Sequence, residues 1–160
     1  MRTFLMLLCA TLWAQERADF DRSKMCHYYP VRFSDALYLF APDTTTVAFI
    51  DNILKQNELR KNFVIKAANI PNAAAAQKEG QRYLLYAQGF LQSIEEKTKT
   101  PWSATSIMAH EIAHHLNADI GPAAGPRAEQ ELEADRFSGN VLYRMGASLA
   151  QAKAAMEAMP

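Results

Sequence analysis

Two histidines and a glutamate occur at a spacing that suits metal chemistry, in the run HEIAH at positions 110–114. On a helix, His110 and His114 lie about 40° apart around the axis, so both imidazoles can reach one ion. Glu111 would lie close enough to that ion to polarise a bound water. His115 is turned about 100° from His114 and is expected off the metal face. The run therefore predicts a zinc site with a carboxylate beside the bound water.

A catalytic zinc site needs a third protein ligand, and an acidic run downstream offers candidates. Glu131 and Asp135 share one helix face, whereas Glu129 and Glu133 lie on another. With Glu131 as the ligand, Asp135 could accept the free ring N–H of a ligand histidine and so fix its tautomer. Glu133 has no acid one turn later, since Phe137 stands there. We therefore expect Glu131 to ligate, although a solvated helix face is the ordinary interpretation of such a charge run.

Predicted helices must position these groups. They cover residues 101–117, 127–145 and 148–159. Pro101 behind Thr100 is the arrangement of a first helical residue after its cap, and Gly146 suits a helix end. Ser148 and Gln151 form a capping box that opens the last helix.

Upstream, the patterning becomes partly extended. Helical segments are expected over 45–59 and 90–99, and strands over 63–65 and 82–86. Asp43 with Thr44 caps the first helix, and Gly80 turns the chain between strands. The order helix, small sheet, helices predicts an α+β fold, with two or three antiparallel strands packed on the two helices that carry the site.

Length and charge exclude several classes of protein. The chain has 160 residues, enough for one ordinary core and one domain. Its 17 basic and 17 acidic residues balance, and the basic ones are scattered, which argues against nucleic acid as a partner. No apolar run reaches the roughly 20 residues that span a bilayer, so we expect no membrane-spanning segment, while association with a membrane surface stays open.

The N-terminal segment has the layout of a secretory signal, with Arg2 before an apolar stretch from Thr3 to Ala14. Cleavage after Ala14 would export the protein to the periplasm or the medium; a buried first helix is the alternative. Cys26 would then be the single thiol, so no internal disulfide is expected. The predicted organisation is a signal peptide over 1–14, an irregular segment over 15–44 with a short strand at 36–40, and one domain over 45–160.

With HEIAHH followed by ELEADR, the chain resembles the gluzincin metallopeptidases of the CAAX prenyl protease and HtpX type. Pro71-Asn72-Ala73, then Gly80, then Gly89-Phe90-Leu91 resemble a further element of that family. The likeness covers about 45–156. It implies a zincin-like fold, with Glu131 as the third zinc ligand and Asp135 as the matching acid, in a short, exported member without membrane helices.

The resemblance also implies how substrate would bind. In this family an edge strand above the zinc helix pairs with the substrate backbone, and the stretch 72–76, with Asn72, Ala73 and Ala74, is the candidate. The partner would be a peptide or an unfolded protein. Relatives usually carry a His-Pro segment and an arginine after the last helix, whereas this sequence stops at Pro160, so a C-terminal truncation of the domain is one expectation.

The function expected from these patterns is zinc-dependent endopeptidase activity. His110, His114 and Glu131 would hold one Zn²⁺, and Glu111 would serve as the general base. The donor that stabilises the oxyanion stays open among Arg136, Tyr143 and His27. A non-catalytic, zinc-stabilised peptide-binding or chaperone-like relative is the competing class. A third alternative, a helical domain with a coincidental motif, predicts no metal.

Overall fold

The computed structural model describes residues 16–21, 25–27, 36–117 and 128–158. The expected signal peptide over 1–14 lies outside these ranges. In the described part the protein is α+β, and its elements in chain order are β1 (Glu16–Arg17), β2 (Cys26–His27), β3 (Tyr38–Phe40), α1 (Thr44–Gln56), β4 (Val64–Ala68), β5 (Ala73–Lys78), β6 (Gln81–Tyr86), α2 (Gln88–Thr98), α3 (Trp102–Leu116), α4 (Ala128–Arg144) and α5 (Leu149–Ala158). Among the described helices, none is both long enough and apolar enough to cross a membrane.

The sheet is mixed, with the strand order β1-β3-β4-β6-β5-β2. The expectation of a purely antiparallel sheet is wrong, because β4 and β6 pair in parallel while the other neighbours are antiparallel. After β4 the chain forms β5 two strand positions away in the sheet. The tight hairpin between β5 and β6 then places β6 between β4 and β5. Glu79 and Gly80 at the hairpin tip both have positive φ, the geometry of a type I′ turn.

The segment over 15–44, expected to be irregular, contributes three short strands to this sheet. β3 lies within the short strand expected at 36–40, and β1 pairs with it. β2 pairs with β5 at the opposite edge of the sheet. Strands of two residues carry no alternation pattern, so the sequence offers no signal for β1 or β2.

Each face of the sheet buries its own apolar cluster, because successive strand residues point to opposite faces. Ala73, Leu84 and Tyr86 face the helices, where they pack with residues of α1, α2 and α3. Ala74 and Leu85 point to the opposite face. There they are covered mainly by apolar residues of the segment over 15–44: Ala18, Phe20, Met25, Leu37 and Leu39. The alanines of β5 are fully buried and small, which lets the chain pack closely on both faces.

Several helix ends follow the local signals in the sequence. The Asp43 side chain accepts a hydrogen bond from the Thr46 backbone N–H at 2.7 Å, which confirms the predicted cap of α1. Ser148 and Gln151 form the predicted capping box at the start of α5. Gly146 follows α4 with φ 94°, the left-handed conformation that ends a helix.

The central helix is α3, in which every residue from Ser103 to His115 is buried. It packs against the sheet on one side and against α4 and α5 on the other. A helix enclosed all round must satisfy its polar side chains internally. The polar groups of the HEIAH run therefore lie in the interior of the protein.

Candidate metal centre

Three side chains from α3 and α4 converge at one point. His110 Nε2 lies 3.1 Å from His114 Nε2 and 3.2 Å from Glu131 Oε2. His114 Nε2 lies 3.8 Å from Glu131 Oε1. One ligand atom from each residue falls within 4.8 Å of the other two, so the group could hold a metal ion.

The two helices contribute differently to this cluster. The α3 imidazoles are enclosed, with side-chain exposures of 4% for His110 and 0% for His114. The α4 carboxylates are more open, at 31% for Glu131 and 44% for Asp135. The cluster is thus embedded on the α3 side and reachable from the α4 side, an arrangement that lets a water or another small group approach.

Asp135 fixes the orientation of His110. Its Oδ1 lies 2.9 Å from His110 Nδ1, and since a carboxylate only accepts, Nδ1 carries the proton. The other ring nitrogen, Nε2, is then the one turned toward His114 and Glu131. A carboxylate behind a ligand histidine sets the tautomer and raises the basicity of the ring.

The carboxylates also determine the charge of the cluster. Burial lowers the pKa of His110, but hydrogen bonds with Asp135 and Glu131 outweigh it and raise the pKa to about 10. The hydrogen bond with His110 lowers the pKa of Glu131 below its ordinary value. Glu131 is thus anionic near neutral pH, as a metal ligand must be, and a bound cation would replace the proton on His110 Nε2.

Glu111 lies beside the cluster but belongs to a different set of contacts. It is fully buried, and its Oε2 accepts a hydrogen bond of 2.7 Å from the Ala75 backbone N–H in β5. Its negative charge is close enough to help raise the pKa of His110. The carboxylate is therefore adjacent to the candidate metal ligands and oriented by the sheet.

His115 has a separate, structural environment. Its ring stacks on Phe63, with centroids 5.0 Å apart, and its Nε2 lies 3.0 Å from the Tyr83 carbonyl oxygen, to which it donates. Burial lowers the pKa of His115 to about 4. The Arg82 side chain donates to the His115 carbonyl at 2.6 Å and so caps the end of α3. His115 is a neutral residue on the sheet side of α3.

The expected substrate strand occupies a different position from the sheet edge. Asn72 precedes β5 and is buried, and its carbonyl accepts the Ala87 N–H at 2.8 Å. Ala73 and Ala74 lie in β5, which pairs with β6 on one side. On the other side, Ala74 pairs with β2, which is the outermost strand. The stretch 72–76 was expected at the sheet edge, but β2 lies outside it. The sequence gives no sign of β2, because that strand is too short to predict.

The oxyanion-donor candidates are dispersed. Tyr143 is 79% exposed and lies twelve residues beyond Glu131 on α4, about 18 Å along the helix. Arg136 is exposed and lines an open groove with Asn117 and Asn140. His27 lies in β2, and its side chain is outside the described part of the chain.

Sequence reasoning missed two groups next to the cluster. One is the Ala75 N–H, which has no sequence signature because it is a backbone group. The other is Ser138, which bonds to Ser106 of α3. Ser138 lies three residues after Asp135 and seven after Glu131, so its helical spacing was the available signal.

Comparison of the sequence with protein-family models and with curated proteins gives no match. The resemblance drawn from the two motifs therefore stays a prediction, and the geometry of the cluster is the main support for a function.

Proposed function

We propose that the protein is a zinc-dependent metalloendopeptidase with a zincin-like domain of the CAAX prenyl protease and HtpX type. The observation that carries the proposal is the convergence of two imidazoles and one carboxylate from two helices, with a further buried carboxylate, Glu111, beside them. Three protein ligands plus an adjacent acid is the composition of a catalytic site, since a purely structural zinc usually has four protein ligands.

The spacing of the ligand atoms supports zinc. A tetrahedral site with zinc–ligand bonds of about 2.0–2.1 Å separates its ligand atoms by about 3.4 Å. The two Nε2 atoms lie 3.1 Å apart, and Glu131 places Oε2 3.2 Å from His110 Nε2 and Oε1 3.8 Å from His114 Nε2, all close to that value. Two imidazoles and one carboxylate also match the preference of zinc for nitrogen and oxygen ligands in this ratio.

A zinc ion held by His110, His114 and Glu131 would lower the pKa of its bound water to about 7 and polarise a peptide carbonyl. In this mechanism Glu111 takes the proton of the attacking water and returns it to the leaving amine. Asp135 keeps the proton of His110 on Nδ1 and so leaves Nε2 for the metal. The burial of Glu111 within the protein strengthens its electrostatic interaction with the site.

The proposed substrate is an extended peptide or an unfolded protein. The exposed side of the cluster, toward α4, gives the scissile bond a route to the ligands. Backbone pairing to a strand would hold such a substrate without requiring a particular sequence.

One observation favours a second function, a non-catalytic peptide-binding relative stabilised by zinc. The Glu111 carboxylate is engaged by the Ala75 N–H of β5, and β2 lies against β5 at the same residues. A carboxylate held by the sheet serves packing as well as proton transfer. In this alternative the protein would bind peptides and leave them intact.

Hydrolysis by the zinc-loaded full chain tests the proposal, with casein as a disordered substrate. Wild type should cleave casein, whereas Glu111→Gln should keep its zinc and be at least about 100-fold slower. The matched control is Glu96→Gln, an exposed glutamate on α2, which should cleave as wild type does.

The possible results distinguish the two candidate functions. Undiminished cleavage by Glu111→Gln would remove Glu111 from the mechanism. Binding of casein without cleavage by wild type would favour the non-catalytic relative. A folded wild type that takes up no zinc would overturn both.

A further inference from the structure

A buried pair of hydroxyls joins α3 to α4 one turn away from the metal ligands. Ser138 Oγ donates to the Ser106 carbonyl oxygen at 2.9 Å, and the two Oγ atoms lie 3.0 Å apart. Ser138 has one hydroxyl proton, which goes to the carbonyl, so Ser106 must donate in the bond between the hydroxyls. The pair is thus a closed clamp of two hydrogen bonds, and both residues are buried.

The clamp is the first of three successive side-chain contacts between the two helices. Ser106, His110 and His114 follow at intervals of four residues along α3. Their partners on α4 run in the opposite direction, as Ser138, Asp135 and Glu131. In a regular helix the Ser106 carbonyl also accepts the His110 backbone N–H, so Ser138 bonds to the peptide group that positions His110.

We propose that Ser138 is a positioning residue for the metal site, which sets the axial register of α4 on α3. This inference rests on the proposed function, because it concerns the same ligands. Ala134, one turn before Ser138 on α4, is fully buried, and the apolar contacts of such a small side chain resist sliding weakly because they are not directional. A shift of one residue along a helix axis is about 1.5 Å. Such a shift would break the 2.9 Å contact between His110 and Asp135 and move Glu131 away from both histidines.

The test compares two hydroxyl pairs that each include a buried serine of α3, Ser106 in one and Ser103 in the other. Ser138→Ala removes the clamp to α4. Ser103→Ala is the matched control, because Ser103 is fully buried in α3 and its Oγ lies 2.6 Å from Thr98 Oγ1, a residue of α2. The readouts are the zinc dissociation constant, from competition with a chromophoric chelator, and the visible absorption spectrum of the Co²⁺-loaded protein. Thermal unfolding of each variant reports stability separately.

We expect Ser138→Ala to raise the zinc Kd by about 10-fold and to alter the Co²⁺ spectrum. The zinc Kd of Ser103→Ala should stay within about 2-fold of the wild-type value, although its Tm should fall by about as much as that of Ser138→Ala. The double variant Ser106→Ala/Ser138→Ala should bind zinc no more weakly than Ser138→Ala, because the two hydroxyls act as one unit. If Ser138→Ala does not fold, Ser138→Cys replaces it, because cysteine is similar in size but a weak donor. This variant should raise the zinc Kd by less than the factor of about 10 expected for Ser138→Ala.

Equal zinc affinity in Ser138→Ala and Ser103→Ala would overturn the positioning role and leave the proposed function intact. A wild type that binds no zinc would overturn the proposed function, and the positioning role with it. The two failures are therefore distinguished by the wild-type titration alone.

Discussion

Glu111 Oε2 accepts a hydrogen bond of 2.7 Å from the backbone N–H of Ala75, across 36 positions of sequence. This contact connects α3, which carries the two proposed histidine ligands, to β5. The residue proposed as the general base is thereby oriented by the sheet as well as by its own helix. Substitutions at this position should therefore affect stability and chemistry separately.

Glu111→Ala should destabilise the fold more than Glu111→Gln does. Alanine leaves the buried Ala75 N–H without this acceptor, at a cost of about 1–3 kcal/mol, whereas the glutamine carbonyl can still accept. Urea unfolding of the metal-free variants measures the difference. Equal losses of unfolding free energy would show that the contact contributes nothing to stability.

Glu131→Ala should abolish stoichiometric zinc binding, while Glu133→Ala should not. Glu131 lies 3.2 Å from His110 Nε2, whereas Glu133 lines a groove with Asn117 and Arg136. Elemental analysis of the two purified variants after zinc loading provides the comparison. The assignment of Glu131 as a ligand would be wrong if both variants retained one zinc per chain.

Asp135→Asn should weaken zinc binding about 10- to 100-fold without removing the site. Asparagine can accept the His110 Nδ1–H through its amide oxygen, but it carries no charge to raise the basicity of the ring. Competition titration gives the change in Kd, and Glu129→Gln is the control on the same helix. An unchanged Kd for Asp135→Asn would exclude this supporting role.

Asp43 should make the stability of the protein depend on pH in the acid range. Burial pushes the pKa of Asp43 upward, but hydrogen bonds from the Thr46 backbone N–H and hydroxyl, and from the Tyr86 hydroxyl, lower it below 3.8. A carboxyl with a lowered pKa in the folded state stabilises above its unfolded pKa, and this contribution is lost as pH falls through the folded value.

The corresponding measurement is urea unfolding of wild type and Asp43→Asn from pH 7 to pH 2.5. Asparagine is also a good N-cap, so the variant removes the charge and keeps the cap. The difference in unfolding free energy should be largest above about pH 5 and should shrink below pH 4. Asp43→Ala should lose about 1 kcal/mol more, because it removes the cap itself. A difference that stays constant across this range would contradict the lowered pKa.

Local features of the fold were predictable because they depend on neighbours in sequence. The cap at Asp43, the capping box of Ser148 with Gln151, and the helix end at Gly146 are each formed within about four residues. Propensities and hydrogen bonds at that range act before tertiary packing, so composition and spacing identify them.

The sheet order required the tertiary structure. Strands β4 and β6 pair in parallel because the hairpin places β6 between β4 and β5, and no local pattern distinguishes this from a simple meander. β2 is two residues long, and its place beside β5 depends on burial rather than on any alternation of its own.

The candidate site also has features that were predictable from the sequence and features that required the tertiary structure. The sequence by itself determined which residues can ligate, since the spacing of His110 and His114 places them on one helix face wherever the helix packs. Only the tertiary structure decided that Glu131 and Asp135 meet them, that Ala75 holds Glu111 and that Ser138 clamps Ser106. These contacts join residues 17 to 36 positions apart. At that separation the partner is chosen by how α3, α4 and the sheet bury their surfaces, a property of the whole chain.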